Sequence, residues 1–298
     1  MTQADWIYCV FAGYLVLINL ITYILYGVDK GKAQKSQWRI PERTLIGMAW
    51  LGGGLGALCG MRRFHHKTLH WRFKIGVPLA FIPWLLLTCS ISEVYFLRRG
   101  TIHYTPLMLR RQIEAWQNDQ HYTYHHHWVA YSDMSPEIVR AVMACEDNLF
   151  ATHNGFSERG IRNAIDEYKK NGVVKHGGST ISQQTAKNIF TSANRSYIRK
   201  VREAWFTVLI EHLWTKQRIM EVYLNSIEMG DGIFGIEAAS QNYFRIPASR
   251  LSRSQAALIA VCLPNPRKYS VTNPGPYVRK RQQQIITLMP KLGKIELN

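Results

Sequence analysis

The pattern of apolar and polar positions changes character near residue 98. Upstream, apolar residues come in long runs with little periodicity. Residues 6–26 carry no charge, 45–61 include Gly52, Gly53, Gly54, Gly56 and Gly60, and 75–97 are broken only by Glu93. The first and third runs are long enough to cross a bilayer as helices. The second is shorter and glycine-rich, which suits a third span, a tightly packed small-residue helix or a re-entrant segment. The first run is too long, and lacks the basic leader, for a cleavable signal.

Downstream, apolar positions recur at helical spacing and strand-like alternation is scarce. Ser135-Pro136-Glu137 supplies an N-cap, a proline at the first helical position and an early acid. The helix it opens has Ile138, Val139, Val142 and Met143 on its apolar side and ends at Glu146 and Asp147. Further helices are expected over about 180–190, 197–214, 216–225, 233–243, 253–262 and 277–289, with another possible over 107–118. The expected fold class is mainly α: a multi-segment helical membrane region over 1–97, a tether with a leading strand over 98–127, and a helical domain over 128–298. No further domain is expected beyond Asn298.

Charge sharpens the membrane reading. The net charge is +17, of which +6 falls before Arg98 and +11 from there on. Nucleic-acid binding is one meaning of such a balance, but the apolar runs favour anionic lipid and a phosphate-bearing substrate, with no nucleic acid. Lys30, Lys32, Lys35, Arg39 and Arg43 lie between the first two runs, and Arg62, Arg63, Lys67, Arg72 and Lys74 between the second and third. Both loops are equally basic, so both belong on the cytoplasmic side. A re-entrant middle run satisfies both and puts the N-terminus, which has no Lys or Arg in its first five residues, outside. This is the preferred arrangement; the competitor has three full spans. Either puts everything after Leu97 outside.

The cysteines add little. Cys9, Cys59 and Cys89 sit in apolar runs, and Cys145 and Cys262 have neither metal nor disulfide-framework spacing. His121, His125, His126 and His127 read as a solvated or headgroup-facing loop, since consecutive histidines cannot all face one ion. Asp29-Lys30, Arg39-Glu42 and His65-His66-Lys67 could form a polar site at the cytoplasmic face, but read first as loop charges that fix topology.

Candidate chemistry concentrates in four short stretches. Glu146 and Asp147 offer a carboxylate base, though as neighbours on a helix they do not face one point; Phe150 and His153 follow. Gly177-Gly178-Ser179-Thr180 is a glycine turn whose N–H groups and following helix start suit an anion. Thr180, Gln184 and Lys187 then share a helix face carrying a hydroxyl, an amide and an ammonium. Arg199, Lys200 and Glu203 place two cations and a second acid on a partly buried helix. For Glu221-x-Tyr223-Leu224-Asn225, core packing and substrate contact are equally open. Together these are the parts needed to move a sugar off a phosphate leaving group.

From about Trp128 to Met289 the chain resembles the peptidoglycan glycosyltransferase family in its monofunctional transglycosylase branch. The resemblance rests on the run from Gly177 through Asn188, on Gly230-Asp231-Gly232-Ile233-Phe234-Gly235 and on Leu263-Pro264-Asn265-Pro266. It implies a lysozyme-like helical fold with a membrane-dipping lobe. The implied reaction is polymerisation of lipid II into glycan strands with inversion, releasing undecaprenyl pyrophosphate. Carried over, Glu146 is the general base and Glu203 the second essential acid. Asp147, Phe150, His153, Ser179, Thr180, Gln184, Lys187, Arg199, Lys200 and Asn225 are substrate-binding positions. Ser157 stands where the family often has Asp, and Gly160 replaces a bulkier residue. No cofactor is certain; Mg or Mn is compatible with Asp147 and Glu203, though no spacing demands it. Implied partners are lipid II, the growing strand, membrane lipid and cell-wall synthesis or division proteins. The implied location is the bacterial inner membrane, multi-pass, with the catalytic domain periplasmic.

Most of residues 1–90 resembles a second family, of small bacterial membrane proteins of uncharacterised function. The matching residues are Tyr26-Gly27-x-Asp29-Lys30, Arg39-Ile40-Pro41-Glu42-x-x-Leu45, Gly52-Gly53-x-x-Gly56 and His66-Lys67-Thr68. The chain therefore looks like a fusion. Two alternatives stand beside polymerisation: a lysozyme-like lytic enzyme, which has no need of the glycine turn and cation cluster, and a non-catalytic cell-wall scaffold.

Overall fold

The computed structural model describes residues 2–119, 121–158, 160, 162, 166, 169, 170, 172, 178–191 and 196–297. Gly177 of the glycine turn lies outside them. The chain divides into two compact units, Met1–Phe96 and Leu97–Asn298.

In the first unit, α1 (Gln3–Gln34) and α4 (Trp71–Leu97) are long apolar helices. They run antiparallel: Tyr95 donates to Asp5 near one end, and the Tyr26 and Phe73 rings meet edge to face near the other. Pro78 and Pro83 lie inside α4, as membrane helices tolerate. The glycine-rich run forms α2 (Glu42–Met48), one wider π-type turn (Ala49–Gly53) and α3 (Gly54–Arg63).

By length alone Glu42–Arg63, 22 residues, would suit a span. As one straight helix, however, it would hold its ends roughly 30 Å apart. Instead Lys67 Nζ lies 2.6 Å from Glu42 Oε1. Ile40 N and His66 Nε2 also reach the same Asp29 carboxylate, at 2.8 and 2.7 Å. The segment folds back on itself at Gly52, whose φ of +108° is open to glycine and strained for other residues. Its tip reaches the middle of the unit, where Asn19 donates to Gly52 O and Trp84 to Trp50 O. Close approach explains the other glycines. A Cβ on Gly56 would sit 2.0 Å from Asn19 O, and one on Gly53 2.0 Å from Thr22 Oγ1. The segment is thus a helical hairpin, and both basic loops emerge at one end of the unit.

The second unit is mainly helical. Segment 98–127, expected as a tether, belongs to it. Thr105 caps α5 (Pro106–Gln117), and His125–His126 form strand β1. α6 (Pro136–Glu146) starts at the expected Ser135 cap. α7 (Ile181–Phe190), α8 (Tyr197–Leu213) and α9 (Lys216–Ser226) follow, with α9 buried along nearly its whole length. Next come β2 (Glu228–Gly230), β3 (Ile233–Phe234), α10 (Ile236–Phe244), α11 (Arg253–Cys262) and α12 (Pro276–Leu288). The strand order is β1-β3-β2, with β1 parallel and β2 antiparallel to β3.

Residues 233–234, expected to open a helix, are instead strand. Gly235, at φ +82° and pressed against Asn225 O, turns the chain before α10 begins. His126 is not solvated: its Nε2 donates to Asn225 O at 2.9 Å. α6 packs on α11 and α11 on α12, while α7 packs on α8 and α9. The end of α6 and the face of α7 are thereby held across one cleft.

Candidate active site

Glu146 is the last residue of α6 and lines a cleft of about 900 Å³ together with Ser179, Gln184, Lys187 and Arg199. Gln184, one turn into α7, donates from Nε2 to Glu146 Oε2 at 2.8 Å. Burial is the main influence on the Glu146 carboxyl and raises its pKa above the ordinary glutamate value. The Gln184 and Cys145 hydrogen bonds and the Arg281 charge oppose that rise, while Asp147 adds to it. A carboxyl tuned upward yet hydrogen-bonded in its charged form is suited to take a proton near neutral pH.

Lys187, from the next turn of α7, opens into the same cleft. Partial desolvation by the walls depresses its ammonium pKa; Glu203 pulls it back up, and Arg199 and Lys200 push it down. Glu203 is buried in α8 and holds Arg199 Nη1 at 2.8 Å, with Lys200 on its other oxygen. The buried acid thus fixes the direction of two cations that mutual repulsion would spread. The result is a carboxylate on one side of the cleft and Lys187 and Arg199 on the other, with the more exposed Lys200 beside them on Glu203, an arrangement fit to deprotonate one group while stabilising anionic charge on another.

Several expected substrate contacts are turned inward. Thr180 caps α7: its hydroxyl accepts from Gln183 N and donates to Gly155 O at 2.6 Å, so it does not share the open face of Gln184 and Lys187. Asp147 Oδ2 accepts from His153 Nε2 and Ile181 N, tying the end of α6 to the start of α7. Phe150 is fully buried under the Lys216 ammonium. Asn225 has no exposure; its amide donates to Val129 O and Glu221 O and accepts from Val129 N. Tyr223 is likewise buried, with its hydroxyl directed at Gln184 Oε1. These residues hold the cleft-lining groups in place.

The cleft also has walls that the motifs do not reveal. Arg110 and Arg111 come from α5, and Tyr277 and Arg281 from α12, while Glu228 pairs with Arg111 at 2.7 Å. Cys145 lines the cleft too, but burial pushes its thiol up to about 12, which keeps it protonated and a poor nucleophile. For Mg or Mn, Asp147 Oδ2 already accepts from His153 and Ile181 N, and both Glu203 oxygens face cations. Among the described residues no three His, Cys, Asp or Glu side chains are grouped to hold a metal.

Residues 112–290 match the family described as Transglycosylase, and residues 19–73 match one described as Protein of unknown function (DUF1294). A biosynthetic peptidoglycan transglycosylase of Bacteroides thetaiotaomicron is 46% identical over 210 residues, covering 70% of this chain and 84% of the relative. Proteins of the same name from Salmonella schwarzengrund and Salmonella typhimurium are each 45% identical over 224 residues, covering 72% of this chain and 93% of theirs.

Proposed function

The chain belongs to the transglycosylase family and is a peptidoglycan glycosyltransferase, and on that premise we propose that it polymerises lipid II with Glu146 as general base. The lysozyme-like helical second unit takes a growing strand linked to undecaprenyl pyrophosphate as donor and lipid II as acceptor. The acceptor hydroxyl oxygen attacks the anomeric carbon of the donor from the face opposite the pyrophosphate. Its proton passes to Glu146 as the carbon–oxygen bond to the pyrophosphate breaks. Undecaprenyl pyrophosphate leaves, and the configuration inverts. Lys187, Arg199 and Lys200 take up the negative charge that accumulates on the departing group, and Glu203 aims them.

The observation that carries this reading is the separation of functions across one cleft: an upward-tuned carboxylate held by Gln184 faces a cation group organised by a buried acid. Asp147, Phe150, His153, Thr180 and Asn225 act as positioning residues for that geometry.

The apolar helices anchor the protein in a membrane. With α1 and α4 crossing and the segment between them re-entrant, both basic loops lie on the cytoplasmic side. The second unit is then on the outer face of the inner membrane, where the lipid-linked substrate is polymerised.

Incubating purified full chain with fluorescent lipid II tests the reaction. The expected products are long glycan strands and an equivalent release of undecaprenyl pyrophosphate for each bond formed. Short fragments cut from preformed glycan, without pyrophosphate release, would establish the lytic reaction instead.

A further inference from the structure

The basic loops of the first unit do more than set topology. Asp29, His66 and Lys67 keep no more than 8% of their surface exposed, although they flank apolar helices where burying ionisable groups is costly and marks function. They meet at the mouth of the fold-back. Asp29 accepts from Ile40 N and His66 Nε2 and has Arg39 Nη2 at 3.5 Å. Lys67 reaches Glu42 and lies over the Phe73 ring. His65 and Lys67, on either side of His66, adopt left-handed backbone at φ +44° and +62°. Strain of this kind persists where surrounding structure imposes it, and it clusters at binding sites.

The donors here outnumber the acceptors. Asp29 and Glu42 are the two acids among residues 29–74, against ten Lys and Arg, and both are already engaged. Arg39 makes a single long contact with Asp29 and is half exposed. Lys67 has one carboxylate partner for three N–H donors. The Tyr26 hydroxyl, one helical turn before Asp29, is buried without a hydrogen-bond partner. What such a mouth lacks is a polyvalent anionic acceptor.

We propose that the mouth of the re-entrant hairpin, formed by Arg39, His66 and Lys67 and oriented by Asp29 and Glu42, binds a phosphate group at the membrane interface. The phosphate is carried by a lipid headgroup or is free in the cytoplasm. Arg39 is the outward donor that engages it directly, and the buried Asp29 carboxylate and the partly exposed Glu42 carboxylate keep the donors aimed. The inference is independent of the glycan chemistry and concerns the first unit alone.

The test uses the full chain in nanodiscs of phosphatidylcholine containing a minority of phosphatidylglycerol, with bound lipid read by native mass spectrometry. Preferential retention of phosphatidylglycerol by the wild type is expected, falling about fivefold in Arg39→Gln but not in Lys35→Gln, which removes the same charge from the same loop. Thermal unfolding of both variants controls for folding. Displacement of the retained lipid by millimolar inorganic phosphate would show that the site accepts free phosphate, and resistance to it that a lipid headgroup is required; either result supports the site. Equal losses in Arg39→Gln and Lys35→Gln would overturn it in favour of diffuse surface attraction, and equal retention of the two lipids would overturn it by showing no anionic preference at all.

Discussion

Glu146 carries two opposing demands, and they are separable by experiment. Its pKa is raised because burial disfavours the charged form, so the folded protein binds that proton more tightly than the unfolded chain does. This contribution favours the fold at low pH and is lost as pH rises through the folded pKa. Glu146→Gln is therefore expected to raise the melting temperature at neutral pH. The gain should shrink as pH falls below the raised pKa, and calorimetry across pH reads it. A melting temperature lowered at neutral pH would contradict the reading. On the other wall, Arg199→Met should cost about 10²–10³ in kcat/KM, as loss of a donor to developing anionic charge does. Thr180→Val should instead lower stability by about 1 kcal/mol through the lost cap. Gln184 and Lys187 were legible as neighbours because helical spacing fixes which residues share a face, whereas Glu146 was singled out through the family resemblance. Thr180 was misplaced by the same spacing, since a cap residue sits outside the helical turn and points its hydroxyl back to the backbone. Arg281 and Tyr277 left no local signal: they join the cleft only because α12 packs beside α11 and α6.

At the scale of elements, the re-entrant segment shows what composition can and cannot carry. The basic loops on either side of 45–61 pointed to a fold-back, and the glycines pointed to close packing. Where the chain would turn was not legible, because several glycines compete and only Gly52 takes positive φ within the segment. Gly56 instead serves contact, with Asn19 backbone where a Cβ would be. Gly56→Val should therefore push the hairpin off α1 and destabilise the first unit by about 1–3 kcal/mol, the usual cost of overpacking. Thermal unfolding of that unit in detergent, followed by fluorescence of Trp50 and Trp84 at the tip, would register it; an unchanged transition would mean that the two helices do not meet there. In the second unit, the helices around 181–190, 197–213 and 253–262 were legible from caps and periodicity. The turn of strand at 233–234 was not, because two-residue strands have no period to read.

At the scale of the whole molecule, α1 and α4 crossing the membrane with the segment between them folded back would put both basic loops on one side. Single cysteines at Lys32 and Arg72, in a background freed of the native thiols, should react with a membrane-impermeant maleimide only after the membrane is permeabilised. Cysteines at Thr2 and Arg99 should react in intact spheroplasts. Labelling of Lys32→Cys from outside, with Arg72→Cys and Thr2→Cys protected, would mean that the middle segment crosses fully.

Glu146 as the base in lipid II polymerisation is the central assignment. Its most direct test is the initial rate of strand growth from fluorescent lipid II by the wild-type chain and by Glu146→Gln, from about pH 4 to 8. The wild-type rate should fall on an acidic limb lying above the ordinary glutamate range. The variant should be slower by about 10²–10⁴ and should show no such limb. A variant within a few-fold of wild type, or one that keeps the same acidic limb, would contradict the assignment.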